Sequence, residues 1–428
     1  MNIINIYKKT KGNKTLVNGG LFSLYSFIGK GISFLILMLL AKYISPEEYG
    51  YLNLFTTIIS FVTIFMALST NGYVSISYFR KEETNFKKDF TSIYLIGLAT
   101  FLFLVVIVVI GGKWIGAALK LSSELMLIAV AISFFTFSFL LQQDVLRIKE
   151  KIGEYGVYNV LNALLNLILT FLFIAKFQQG WMGRVNAQLL CTVAFGLVSL
   201  LFFFRHNLFK VDFSKKRYNE IISWGLPMIP HHATGWLRQG LDRYIINYYY
   251  TVYDVGVFSF ALNASNVIEM IGMAFNATNS ITIFQTLSRK ELSKDERHHI
   301  IRLQTRNIIL VYVVVSIGIV LLLTPLAYYL MPQYRASIPY LLILSVAGFL
   351  KCMYFLYCNY LFYFSETKHL MYITFGTSVF HVILSLLLTR YSLYLTATVY
   401  VIIQFVILYF VIHESKKLLE RNLIKAAS

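Results

Sequence analysis

Apolar runs of about 20 residues, separated by short polar or basic breaks, recur from one end of the chain to the other. A helix of about 20 residues crosses the roughly 30 Å hydrocarbon core of a bilayer. Inside that medium every backbone N–H and C=O needs an internal partner, which leaves only helices and closed barrels. Runs of that length read as membrane-spanning helices. The chain is therefore read as an all-α membrane protein of about twelve transmembrane helices. They are expected at 16–44, 50–73, 89–112, 123–147, 154–176, 182–204, 218–248, 254–285, 305–330, 338–363, 368–389 and 393–413. Charged residues make up only 14% of the 428, whereas soluble domains carry about a quarter. No stretch is long and polar enough to fold as a separate soluble domain.

The net charge of +18 raises the question of nucleic acid. The basic residues, however, sit in short breaks between spans, where they orient the chain and meet lipid headgroups. No nucleic-acid partner is expected. Most of the 38 lysines and arginines fall on one side, in the breaks around Arg80, Lys149, Lys215 and Arg297 and near both ends. The positive-inside rule then places both termini in the cytoplasm. Lys8, Lys9, Lys11 and Lys14 precede a first span without a small-residue cleavage site, so an uncleaved first helix is expected. Cys191, Cys352 and Cys358 lie inside apolar runs without metal spacing and read as core fillers.

A shift of 206 residues lays Gly19 on Gly225, Gly29 on Gly235, Glu48 on Asp254 and Gly50 on Gly256. The turn SPEEYGYLNLF thereby meets TVYDVGVFSFA. Six helices per half preserve orientation, so two parallel-repeat lobes are expected, residues 1–210 and 211–428, with a substrate cavity between them. The basic segment 205–217 is the expected seam.

Residues 223–266 break the pattern of oily helices. Pro227 and Pro230 each remove a backbone donor that hydrocarbon cannot replace. His231 and His232 follow at an expected helix break, and Arg238, Asp242 and Arg243 lie in the same span. Ionisable groups at this depth face a wet cavity or a partner. Arg238 and Asp242, four apart, are expected to share a face and to neutralise each other in part. Arg243 reads either as an interfacial anchor or as a ligand contact. Histidine titrates near neutrality, so His231 and His232 are candidates for coupling.

Lys30 and Lys351 each stand near the centre of a span. Lys30 is about 14 residues, or roughly 21 Å, from either helix end, too far to reach headgroups. One central lysine per half suits an anionic ligand; the alternative is pairing with a buried carboxylate such as Glu269. Asn263, Asn266, Asn276 and Asn279 read as interhelical hydrogen bonders, with sugar contact open for one or two. Tyr248, Tyr249, Tyr250 and Tyr253 suit an interfacial aromatic belt. No phosphate loop, nucleophile elbow or metal-spaced cluster is present, and no metal or other cofactor is expected.

SPEEYGYLNLF after span 1, with WGLPMIP, LDRYIINYY and VGVFSFA in spans 7 and 8, resembles the polysaccharide biosynthesis/O-antigen (Wzx-type) flippase family. That family sits in the multidrug/oligosaccharidyl-lipid/polysaccharide exporter superfamily. The resemblance implies a two-lobed transporter that flips undecaprenyl-diphosphate-linked oligosaccharide across the bacterial cytoplasmic membrane by alternating access. It implies a cavity lined by cations, for which Lys30, Arg238, Arg243 and Lys351 are the candidates together with Asn263. Asp242, Glu269, His231, His232, Pro227 and Pro230 are the candidates for coupling or gating. Membrane lipids, a polysaccharide polymerase and chain-length proteins are the implied partners. Two rivals stand beside this reading. An ion-coupled exporter of cationic drugs would need cavity carboxylates, and a membrane-embedded glycosyltransferase or polymerase would need a sizeable outer loop. The expectation is a transporter and not an enzyme.

Overall fold

The structure is a computed structural model describing residues 14–119, 121–289, 291 and 293–425; the side chains of some of these, Lys30 among them, lie outside the described set. The described residues form α-helices with short 3₁₀ and π turns. In chain order they are α1 (Lys14–Tyr43), α2 (Pro46–Phe65), α3 (Tyr73–Arg80), α4 (Glu83–Leu119), α5 (Ser123–Ile148), α6 (Ile152–Phe171) and α7 (Gly180–Arg205). Next come α8 (Lys215–Gly225), α9 (Met228–Gly235), α10 (Leu241–Tyr249), α11 (Val252–Ser288), α12 (Lys294–Pro325), α13 (Ile338–Tyr363), α14 (Thr367–Leu388) and α15 (Leu393–Lys425). Among the described residues ten helical stretches are long and apolar enough to cross a membrane. The expected spans 2–6 and 8–12 each coincide with one of them. Span 7 is assembled from the short pieces α8 to α10, and Gly31–Tyr43 is the apolar part described for span 1. This is a multi-pass membrane protein. Its large apolar side chains stay uncovered along α4, at Leu102, Phe103, Val106, Val109 and Ile110, as a lipid-facing stripe requires.

The chain divides into two compact units, 1–43 with 54–236, and 44–53 with 237–428. In the first unit Phe90, Tyr94, Phe137 and Phe203 form the centre of an aromatic core. Its second span is not straight. Ala67, Leu68 and Ser69 take left-handed backbone angles (φ 53°, 50° and 56°) in the turn Met66–Gly72 between α2 and α3. Each costs about 1–2 kcal/mol relative to right-handed helix. The turn is held by α8: a Cβ on Gly225 would stand 2.5 Å from the Leu68 carbonyl oxygen, and the Trp224 ring lies over Gly72. Beneath it the fully buried Asp89 accepts from Ser77 Oγ at 2.6 Å and pairs with Lys81 at 3.0 Å and with Arg217. Lys81 also meets Glu220 at 3.0 Å. Burial works against its ammonium charge, but the hydrogen bonds with Tyr73, Asp89 and Glu220 prevail and raise its pKa above the ordinary lysine range.

In the second unit the repeated turns meet. Thr251 and Asp254 form a capping box at the start of α11, its two bonds 3.1 and 3.3 Å. Ser45 and Glu48 make the same reciprocal pair ahead of α2, at 3.0 and 3.2 Å. Gly50 and Gly256 stand at the crossing of these two helix starts, where a methyl on Gly256 would overlap the Pro46 carbonyl and one on Gly50 the Val252 carbonyl. Only glycine permits that approach. The three cysteines are buried and unpaired, as core fillers should be.

Candidate functional site

The seventh span is interrupted twice. The chain turns at Leu226–Pro227, where Pro227 (φ −63°) precedes the first residue of α9, and again at the π turn Trp236–Gly240. The break therefore comes before Pro230, not at it. Pro230 falls in the first turn of α9, where its missing N–H has no intrahelical partner to lose. His231 and His232 lie edge to face at 5.7 Å on the exposed side of α9.

The π turn alters the register of the helix beyond it. Arg238 and Asp242, four apart, form no ion pair with each other among the described residues. Asp242 is buried and turns to α14. It accepts from Ser385 Oγ at 2.6 Å and hydrogen-bonds His381 Nε2 at 2.9 Å. Ser385 in turn lies 3.3 Å from Thr389, which accepts from Thr396 at 2.9 Å. His381 Nδ1 is buried and has no partner among the described residues.

Lys351 on α13 pairs with Glu269 on α11 at 2.6 Å, the arrangement of the alternative reading. Arg238 shares this neighbourhood, its charge acting on Lys351, Tyr354 and Tyr400. Next to it Gln239 donates to Tyr400 OH at 2.8 Å. Neither a carboxylate nor a hydrogen-bond acceptor engages the Arg238 guanidinium among the described residues. Arg243 points inward and not to a boundary: Nε donates to Ser259 Oγ and an Nη to Asn263 Oδ1, both at 3.2 Å. Asn263 completes the set by donating to Tyr49 OH at 2.6 Å and Asn53 Oδ1 at 3.1 Å. Asn276 and Asn279 bridge helices, to Asn359 at 2.8 Å and Gln304 at 2.7 Å. Tyr248 and Tyr253 are exposed at the ends of their helices. Lys30 sits on α1, and its side chain lies outside the described residues.

Sequence reasoning finds Asp242 but not His381 or Ser385. One signal is available, a histidine and two serines at helical spacing in the apolar run TSVFHVILSLLL. Unit two thus carries at membrane depth a satisfied Lys–Glu pair, an arginine with no carboxylate attached, and a separate Asp–His–Ser cluster. In such a set both acids already have partners, Glu269 in Lys351 and Asp242 in His381 and Ser385, while the Arg238 guanidinium is left to an anion.

The sequence profile of the family described as "Polysaccharide biosynthesis protein" matches residues 16–284. The chain is 22% identical over 350 residues to "Lsg locus putative protein 1" of Haemophilus influenzae, covering 79% of this chain and 82% of that protein. An "Uncharacterized membrane protein" of the same species is 24% identical over 351 residues, covering 80% and 82%. In fold the chain resembles an inward-facing multidrug resistance MATE family transporter of the MOP superfamily (TM-score 0.71, 14% identity, 95% and 96% of the two chains). It also resembles the lipid II flippase MurJ in its inward closed conformation (TM-score 0.69, 16% identity, 95% and 90%).

Proposed function

Because the chain belongs to the polysaccharide biosynthesis protein family, we propose that it is a flippase for lipid-linked oligosaccharide, carrying undecaprenyl-diphosphate-linked repeat units of O-antigen or another surface polysaccharide across the bacterial cytoplasmic membrane. The observation that carries the reading is Arg238, a guanidinium at membrane depth with no carboxylate engaged, beside a Lys351 whose charge is already balanced. A diphosphate cannot shed its water into hydrocarbon unless fixed cations replace it, and guanidinium grips phosphate oxygens in a fork. Arg238, Lys30 and Arg243 are assigned to the diphosphate, with Lys351 as a tuning charge and Asn263 as a sugar or positioning contact. The two lobes, 1–210 and 211–428, alternate in access while the polyprenyl tail stays in lipid. Both termini are assigned to the cytoplasm by the basic breaks. A polymerase and chain-length proteins are the expected downstream partners, and the protein's own step makes no covalent bond.

Asp242 with His381 and Ser385 is assigned to coupling. Pro227, in the break, and Pro230, just after it, are assigned to gating, as are His231 and His232; Glu269 is assigned through its hold on Lys351. The test is reconstitution of the purified protein in vesicles holding a labelled polyprenyl-diphosphate sugar on one leaflet, with exposure on the other leaflet measured. Arg238→Gln should abolish transfer while the protein elutes and melts as the parent does. Transfer at the parental rate by Arg238→Gln would remove the diphosphate assignment.

A further inference from the structure

A polar cavity lies inside the first unit. It measures about 360 Å³, at the small end of ligand sites, and is lined by Asn159, Asn162 and Asn166 of α6 with Arg184 of α7 and Phe139 of α5. The three asparagines are spaced i, i+3, i+7 and so occupy one face of a helix that spans the membrane. Asn166 is used: its Oδ1 accepts from Arg184, whose guanidinium also donates to Thr170 Oγ1 at 2.9 Å. The carboxamides of Asn159 and Asn162 make no hydrogen bond to any described residue. Both residues are half-buried and line the cavity, so it offers donors and acceptors to whatever fills it. Across from them stands Gly29 of α1: a Cβ there would lie 2.8 Å from Asn159 Oδ1, so the glycine leaves room for the carboxamide.

We propose that this cavity is a binding subsite for one hydroxyl-rich sugar ring. A carboxamide both donates and accepts, as a sugar hydroxyl does, so two on one face match neighbouring hydroxyls. The Phe139 ring, held edge-on by Phe195 at 5.5 Å, offers the apolar surface that the C–H face of a pyranose needs. A diphosphate fits less well: its oxygens only accept, half of each carboxamide is itself an acceptor, and Arg184, the one lining cation among the described residues, already donates to Asn166 and Thr170. That the ring belongs to a transported glycolipid rests on the flippase reading; that the cavity takes a sugar does not.

The test uses the full chain in nanodiscs and saturation-transfer NMR with glucose, galactose, N-acetylglucosamine and N-acetylgalactosamine, each challenged with inorganic diphosphate. At least one sugar should receive saturation. The signal should resist diphosphate and weaken on the order of tenfold in Asn159→Leu/Asn162→Leu, since two hydrogen-bonding groups are lost. Both changes make α6 more apolar, so folding is preserved; equal elution and melting temperature confirm it. Gly29→Ala, which crowds Asn159 from the far side, should weaken the same signal. Saturation of none of the four sugars, an unchanged signal in the double variant, or displacement by diphosphate would each overturn the assignment. A protein that binds sugar here but flips nothing refutes the flippase and keeps the subsite. One that flips at the parental rate in the double variant, with no sugar signal, does the reverse.

Discussion

Glu269 and Lys351 illustrate how a membrane interior handles charge one residue at a time. Each ion alone would be driven back toward water, and together at 2.6 Å they stay. Glu269→Gln removes one partner and leaves a buried ammonium. We expect a loss of about 3–5 kcal/mol of stability, read as an earlier melting transition in detergent, with most of it restored in Glu269→Leu/Lys351→Met. Asp242→Asn keeps the size of the side chain but weakens the acceptor that Ser385 and His381 meet. Melting should shift modestly, whereas any dependence of transfer on an imposed proton or sodium gradient should vanish. Retained gradient dependence would take Asp242 out of coupling. At this scale the sequence exposes the ionisable groups themselves, because an Asp or Lys inside an apolar run is conspicuous. It conceals their partners: His381 lies 139 positions from Asp242, and only packing of α10 on α14 joins them. Asn159 and Asn162 escape notice for the opposite reason, since uncharged amides in NVLNALLN stand out less than a lysine.

Helix ends and breaks carry the next level of information. The capping box of Thr251 and Asp254 can be read directly from TVYD, and so can its counterpart in SPEE. Thr251→Ala should cost about 0.5–2 kcal/mol, measured by chemical or thermal unfolding. Gly256→Ala should cost more, because its methyl meets backbone at Pro46 rather than a side chain able to swing away. A Gly256→Ala protein as stable as the parent would mean the two helix starts do not cross as described. Prolines announce the interruption near 227 but misplace it, since Pro230 is harmless in the first turn of α9. The π turn at 236–240 leaves no such mark. Nor does Ala67-Leu68-Ser69 contain glycine, so its left-handed path is invisible beforehand.

For the molecule as a whole, hydropathy is enough to give the helical class and ten of the twelve spans, because lipid leaves the backbone so few options. Orientation can be checked with cysteines, since Cys191, Cys352 and Cys358 are all buried and give little background. Asn207→Cys, in a basic break, should resist an impermeant maleimide in intact cells, while Gln178→Cys, in a break on the opposite side, should react. The reverse result would invert the assigned topology. The left-handed run at 67–69 also has a mechanical meaning. It is a bent spring: the same three residues would relax in a right-handed helix, and they are kept from it by Trp224 and Gly225 pressing from α8. A small displacement of that short amphipathic helix would unload the spring and let the second span straighten, so a push at the membrane surface could travel inward as recoil.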